Sequence, residues 1–152
     1  AKTNSSSYAG WHKVKSVTIL GDSKIDGENH FIAALKKRIE KEGKIVSNLL
    51  YVPKKRPKEN ILQNSYYKSD LDIFGRPKKS VFKNMGSDAD VLISWGSDDS
   101  PNDFFAASSK SSLKIGIGNS LSCYDLVIKD DANNPQKVID EILKYLKMIN
   151  HE

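Results

Sequence analysis

Val91-Leu92-Ile93-Ser94-Trp95 runs straight into Gly96-Ser97-Asp98, with almost no polar alternation before the break. A strand without alternation is covered on both faces, as in the middle of a parallel sheet. Small and polar residues are what a chain uses to leave such a strand. The same exit recurs at Gly21-Asp22-Ser23, after the run Val14 to Leu20, and at Gly118-Asn119-Ser120, after Leu113 to Ile117. Helical spacing follows several of these exits. The rhythm predicts a three-layer α/β fold, Rossmann-like, on a mostly parallel sheet.

Outward from these strands, Phe31, Leu35 and Ile39 recur at helical spacing, which predicts a helix from Gly27 to Glu42 with Gly43 as its left-handed stop. Lys44 to Val52 reads as the second strand, ended by Pro53. Ile61, Leu62, Tyr66 and Tyr67 suggest a short helix, and Leu71-Asp72-Ile73-Phe74 a short third strand. Val81, Phe82 and Met85 mark another short helix. Ser100-Pro101 opens the next one, with Asp103 three residues after the cap and Phe104, Ala107 and Ser108 on the inner face. Leu126 to Lys129 is the sixth strand. Asn134-Pro135 opens the last helix, striped by Ile139, Ile142, Leu146 and Ile149 and widened by Leu143 and Tyr145. Right-handed crossovers then give the strand order 3-2-1-4-5-6. Residues 1–13 are polar and Ser-rich and read as a flexible tail that docks through Trp11, leaving residues 14–152 as a single α/β domain.

Composition narrows the function. The 152 residues carry 24 Lys and Arg against 19 Asp and Glu, a net charge of +5. Only Arg38, Arg56 and Arg76 are arginines, whereas base-edge and bidentate phosphate contacts favour Arg, so nucleic acid is disfavoured. Cys123 is the sole cysteine. It allows neither an intrachain disulfide nor a thiolate metal cluster, which fits a cytoplasmic protein. No apolar stretch approaches the roughly 20 residues needed to cross a bilayer. The chain opens at Ala1 rather than Met, compatible with a removed leader or a longer parent chain.

In the expected strand order, the crossovers from strands 1 and 4 leave in opposite directions, and ligands bind at such a switch point. It would be lined by Gly21, Asp22 and Ser23 on one side and by Gly96, Ser97 and Asp98 on the other, with Asn119 at the neighbouring exit. Asp and Ser after a strand are also helix caps, their commoner role. The stretch Gly21 to Gly27 is neither the dinucleotide fingerprint nor a Walker loop. Asp22, Asp98 and Asp99 repel phosphate unless a metal intervenes. Asp98, Asp99 and Asp103, with Asp22, are an acidic set suited to a hard cation, but capping and solvation account for them more simply. No metal site and no cofactor are assigned. His12, His30 and His151 adjoin no Ser or Cys in a nucleophile motif, and Gly116-Ile117-Gly118-Asn119-Ser120 is not a nucleophile elbow. Two basic segments, Lys54 to Lys58 and Arg76 to Lys79, meet at one end of the sheet in this reading. They would attract an anionic partner, although solvated loops commonly look the same.

Several stretches resemble a small family of uncharacterised bacterial proteins built on a domain of unknown function. They are Lys15 to Leu20, Asp70 to Pro77, Asp90 to Ser94, Ala106 to Gly116 and Tyr124 to Ile128; the turn Phe74-Gly75-Arg76-Pro77 is the most specific. More distantly, the succession Asp90-Val91-Leu92-Ile93, helix, Ala106-Ala107-Ser108, strand, Ile115-Gly116 is similar to the first half of heptosyltransferase-like glycosyltransferases. Those enzymes have two Rossmann-like halves and hold the sugar nucleotide chiefly in the second. The likeness implies the fold and argues against independent glycosyl transfer, and Trp95-Gly96-Ser97-Asp98-Asp99 departs from that pattern.

The leading expectation is a binding or interaction module without catalytic activity, taking a small molecule or a protein. The alternative is a nucleotide or nucleotide-sugar binding enzyme or sensor, using the carboxyl edge of strands 1 and 4.

Overall fold

A computed structural model describes residues 8–23, 31–59, 64–79, 89–95, 101–118, 123–129 and 134–148. In chain order the elements are β1 (Ser16–Asp22), α1 (Phe31–Glu40), β2 (Ile45–Val52), β3 (Ser65–Tyr67), β4 (Val91–Trp95), α2 (Asn102–Ser108), β5 (Leu113–Ile117), β6 (Leu126–Ile128) and α3 (Pro135–Met148). The six strands form one sheet in the order β3-β2-β1-β4-β5-β6. Every neighbouring pair is parallel. This is the Rossmann-like α/β arrangement that the strand rhythm predicts.

The central strands show why the sheet must be sandwiched. All five residues of β4 and all five of β5 are buried. One face carries Val17, Ile19, Val91, Ile93, Leu113 and Ile115 into a core shared with α1 and α3. α1 contributes Phe31, Ile32, Leu35 and Ile39, and α3 contributes Val138, Ile139, Ile142, Leu143 and Leu146. The other face carries Leu20, Leu49 and Leu92 beneath Phe105 and Ala106 of α2. α1 ends where Gly43 takes φ +86°, the left-handed conformation a helix stop requires.

Three expectations need correction. The third strand is Ser65–Tyr67, not Leu71 to Phe74. Tyr66 and Tyr67, read as helical, pair instead with Tyr51 and Val52 of β2. Leu71 makes only an isolated antiparallel bridge to Pro77, closing a turn that exposes Ile73 and Phe74. In α2 the inner face is Asn102, Phe105 and Ala106, while Phe104 is exposed. The helix is only seven residues long, and the two adjacent phenylalanines cannot both face the sheet. The helix suggested by Val81, Phe82 and Met85 lies outside the described residues.

Residues 8–13 pack on the α1/α3 face. Trp11 sits in a short 3₁₀ turn with its ring under Lys44 Nζ at 4.7 Å. Its Nε1 donates to Glu42 Oε1 at 3.2 Å, and Lys147 pairs with Glu42 Oε2 at 3.1 Å. Tyr8 is almost fully buried, and its hydroxyl donates to the Leu146 carbonyl at 2.9 Å. Trp11 therefore docks as expected, and Tyr8 docks with it.

Burial pushes the Tyr8 phenol from its ordinary 10 up to about 12. Between those values the folded state keeps a proton that the unfolded chain has released. Stability therefore falls as pH rises from about 10 towards about 12. Tyr8→Phe is expected to flatten that alkaline loss and to lower stability near neutrality by about 1 kcal/mol, the net worth of one buried hydrogen bond. Urea unfolding of both proteins near neutral pH and near pH 11 measures both effects.

Candidate functional site

β1 runs further than its sequence suggests. Gly21 and Asp22, read as the start of the exit turn, are strand residues paired with Leu50 and Tyr51 of β2, and Ser23 follows directly. A Cβ at Gly21 would overlap the Ile32 side chain and stand 3.4 Å from Leu50 Cδ1, so this glycine lets α1 lie close to the sheet. Asp22 is 3% exposed, at the carboxyl end of the strand. Gly96, Ser97, Asp98 and Asn119, with Asp99, lie outside the described residues.

The structure gathers a polar cluster around Asp22 that no motif announced. Tyr51 stands opposite Asp22 in the sheet register, and Tyr66 opposite Tyr51. The two tyrosine rings lie 5.0 Å apart, and Phe105 meets Tyr66 edge-on at 5.4 Å. The Tyr66 hydroxyl donates to Asn102 Oδ1 at 2.6 Å. Asn102 Nδ2 donates to the Gly21 carbonyl at 2.8 Å, and the residue has no exposed surface. One amide thus joins the start of α2 to β1 and to β3. Beside it the Tyr124 hydroxyl donates to Asp103 Oδ1 at 2.6 Å. The Tyr124 ring lies over Gly116, where a Cβ would come within 2.9 to 3.2 Å of ring carbons. Asp103, expected as a capping residue, therefore serves as the acceptor that fixes Tyr124.

The electrostatics keep these groups neutral. Burial, then the neighbouring charges of Tyr51, Asp22 and Asp103, drives the Tyr66 phenol far above its ordinary value. Burial and the bond to Asp103 do the same to Tyr124, against a smaller opposing effect of Ser94. Tyr51 is raised by burial and by Asp22. Cys123 is half-buried, and burial followed by Asp103 pushes its thiol upward, with Lys114 pulling the other way. These phenols are hydrogen-bond donors at neutral pH, and the thiol is not activated. Among the described residues no three His, Cys, Asp or Glu side chains gather in a metal-binding group.

On the opposite face of the same strand ends, Trp95 closes β4. Its ring packs on Phe31 at a centroid distance of 4.1 Å and it is 4% exposed. Its Nε1 has no hydrogen-bond partner among the described residues. Buried indole N–H groups are usually satisfied, so this open donor at the switch point is unusual. It was not among the expected site residues, because an apolar strand reads simply as core.

A parallel Rossmann-like sheet with polar groups at its carboxyl edge defines the structural class. Residues 1–149 match the family model described as a family of unknown function (DUF6913), and the chain belongs to that family. No curated protein matches it. Neither comparison ties it to the heptosyltransferase-like enzymes.

Asn102→Ala strands the Tyr66 hydroxyl and the Gly21 carbonyl inside the protein at once. Each buried group left unsatisfied costs about 1–3 kcal/mol, so the two together are expected to cost about 2–6 kcal/mol. Tyr66→Phe takes the Tyr66 donor from the buried Asn102 Oδ1 alone and is expected to cost about 1–3 kcal/mol. Chemical denaturation of the two single variants and the double variant gives the coupling, and additive effects would refute the bridge.

Proposed function

We propose that this protein is a small-molecule-binding module. Its ligand lies at the carboxyl ends of β1 and β4, with no covalent chemistry performed by the groups around it. The open N–H of Trp95 carries this reading: a buried donor at a switch point suits an acceptor atom brought by a ligand. Asp22 flanks the other side of the same opening, next to tyrosines held in their neutral form. A donor on one face of these strand ends and a carboxylate on the other favour a ligand that can both accept and donate across the edge, a hydroxyl-rich one such as a sugar or a nucleoside. A bare phosphate is disfavoured by Asp22 and by the neighbouring sequence Asp98-Asp99. Tyrosine and cysteine pKa values driven upward rather than towards neutrality favour binding over acid–base or nucleophilic catalysis.

A thermal-shift panel of sugars, nucleosides, nucleotides and nucleotide sugars tests this. A ligand present at about 100 times its dissociation constant adds roughly 2.7 kcal/mol of stability, a readily visible shift. Trp95→Phe removes the open donor and breaks no hydrogen bond among the described residues, and Asp22→Asn keeps the shape while removing the charge. Both variants are expected to stay folded and to lose the shift given by a hydroxyl-rich ligand. An undiminished shift in both sinks the site, and a flat panel sinks the small-molecule reading.

A further inference from the structure

Ile73 is 93% exposed and Phe74 is 73% exposed, side by side at the tip of a turn. The turn is tightly fixed. Asp72 Oδ1 accepts from the backbone N–H of Phe74 at 2.9 Å and of Arg76 at 3.0 Å. The Asp72 N–H donates to the Arg76 carbonyl at 2.7 Å, and the Gly75 N–H to the Asp72 carbonyl at 3.0 Å. Gly75 takes φ +78°, a left-handed conformation that side chains resist. Asp72 and Arg76 also pair at 3.3 Å, and the Arg76 guanidinium covers one face of Phe74 at 5.1 Å. A loose loop would fold two large apolar side chains back on the protein, whereas this one holds them out in water with its ordering already done.

The surface at the base of this turn is cationic. The segment after β2 joins the segment after β3 through the Lys68 N–H bond to the Lys54 carbonyl at 2.9 Å. Arg56 adds contacts to Ser69 Oγ at 3.0 Å and Asp70 Oδ2 at 2.6 Å. Lys78 closes the patch, its N–H donating to the Asp70 carbonyl at 3.0 Å and its Nζ to the Ser69 carbonyl at 3.2 Å. The two basic segments therefore do meet. Residues 54–59 and 67–79 hold eight Lys or Arg against three acids. That excess of five equals the net charge of the whole chain, so the rest of the protein balances. Arg56 and Arg76 are engaged by Asp70 and Asp72. Lys54, Lys55, Lys58, Lys68, Lys78 and Lys79 are exposed and make no ion pair among the described residues.

We propose that this turn and its lysines dock on an anionic lipid surface, with Ile73 and Phe74 entering the interface and the lysines resting on the headgroups. The two apolar residues supply the buried part and the lysines the attraction, the pairing that stable surface anchoring requires. The arrangement fits lipid better than nucleic acid. Ile73 has no ring to stack on a base, Phe74 already carries Arg76 on one face, and the free cations are lysines rather than phosphate-gripping arginines. The contact is superficial: among the described residues no helix is long and apolar enough to cross a membrane.

Vesicle flotation of the full chain tests this, comparing pure phosphatidylcholine with phosphatidylcholine containing about 30% phosphatidylserine, a composition that sets up the negative surface potential. Binding is expected on the anionic vesicles and not on the neutral ones. It is expected to fall at least about tenfold as salt rises from about 0.1 M to about 1 M, where the screening length shrinks to about 3 Å. Each lysine near such a surface is worth roughly fivefold, so reversing two charges in Lys78→Glu/Lys79→Glu is expected to weaken binding more than about tenfold. Ile73→Ser/Phe74→Ser changes only exposed side chains, so its melting temperature is expected to hold while binding falls at least about tenfold. In Phe74→Trp the emission is expected to shift to the blue on anionic vesicles only. No binding to anionic vesicles, binding unaffected by the serine pair, an unshifted emission, or capture by RNA or an acidic polypeptide in place of vesicles each overturns the proposal. None of these readouts depends on the site between β1 and β4.

Discussion

β4 and β5 are buried along their whole length, so neither face of the sheet centre can be left to water. Everything else follows from covering those two faces. One face has α1, α3 and the docked residues Tyr8 and Trp11. The other has, among the described residues, the seven-residue helix α2. So short a helix buries too little area to fix its own position, and isolated helices of this length do not form in water. Asn102 supplies what area cannot. Its amide reaches Tyr66 of β3 and the Gly21 carbonyl of β1, so two strands of the sheet and the helix above them share one buried polar group. Phe105 and Ala106 then fall onto Leu20 and Leu92.

The two ends of the sheet are finished differently, and this bears on function. At the amino end, Asp90 accepts from the N–H groups of Lys15 and Ser16 at 2.7 and 3.2 Å, and its carbonyl takes Ser112 Oγ at 2.9 Å. The carboxylate is spent on the entry to β1 and the backbone carbonyl on the entry to β5, so this end is closed by hydrogen bonds. The carboxyl end instead collects side chains with hydrogen-bonding capacity: Asp22, three tyrosines held neutral, and the open Trp95 N–H. Among the described residues the Trp95 N–H has no partner there, whereas buried indole donors are usually satisfied.

The strands of the sheet centre were legible because apolar runs of five residues, with glycine or a polar turn after them, have few other uses. The order of strands followed from the handedness of crossovers alone. What sequence could not resolve was anything decided by a partner distant in the chain. β3 is three residues long, too short for a period, and Tyr66-Tyr67 becomes a strand only because β2 offers an open edge. Leu71 to Phe74 has the alternation of a strand, yet Asp72 satisfies its own turn and leaves Ile73 and Phe74 outside. Phe104 and Phe105 are interchangeable by composition; the sheet chooses Phe105. Gly21 carried the same ambiguity: a glycine at a strand end suits a ligand or a neighbouring helix equally, and Ile32 shows that the helix uses it. The polar cluster was invisible for a related reason. Tyr51, Tyr66 and Asn102 come from three separate elements and Tyr124 from the segment before β6, and no spacing rule connects them.

Charge is distributed along the carboxyl end with the same economy. Asp22 sits at the end of β1, and the cationic segments follow β2 and β3. Two strand spacings separate β1 from β3, roughly 10 Å, which is close to the screening length of about 8 Å at physiological ionic strength. Asp22 and the basic turn therefore share one end of the sheet about one screening length apart, so salt weakens the field of each at the other. A mixture of both signs at one point would have cancelled both fields. Keeping the carboxylate buried and the lysines exposed preserves each: Asp22 acts at short range in a medium of low dielectric, and the lysines act outward over the distance that salt allows.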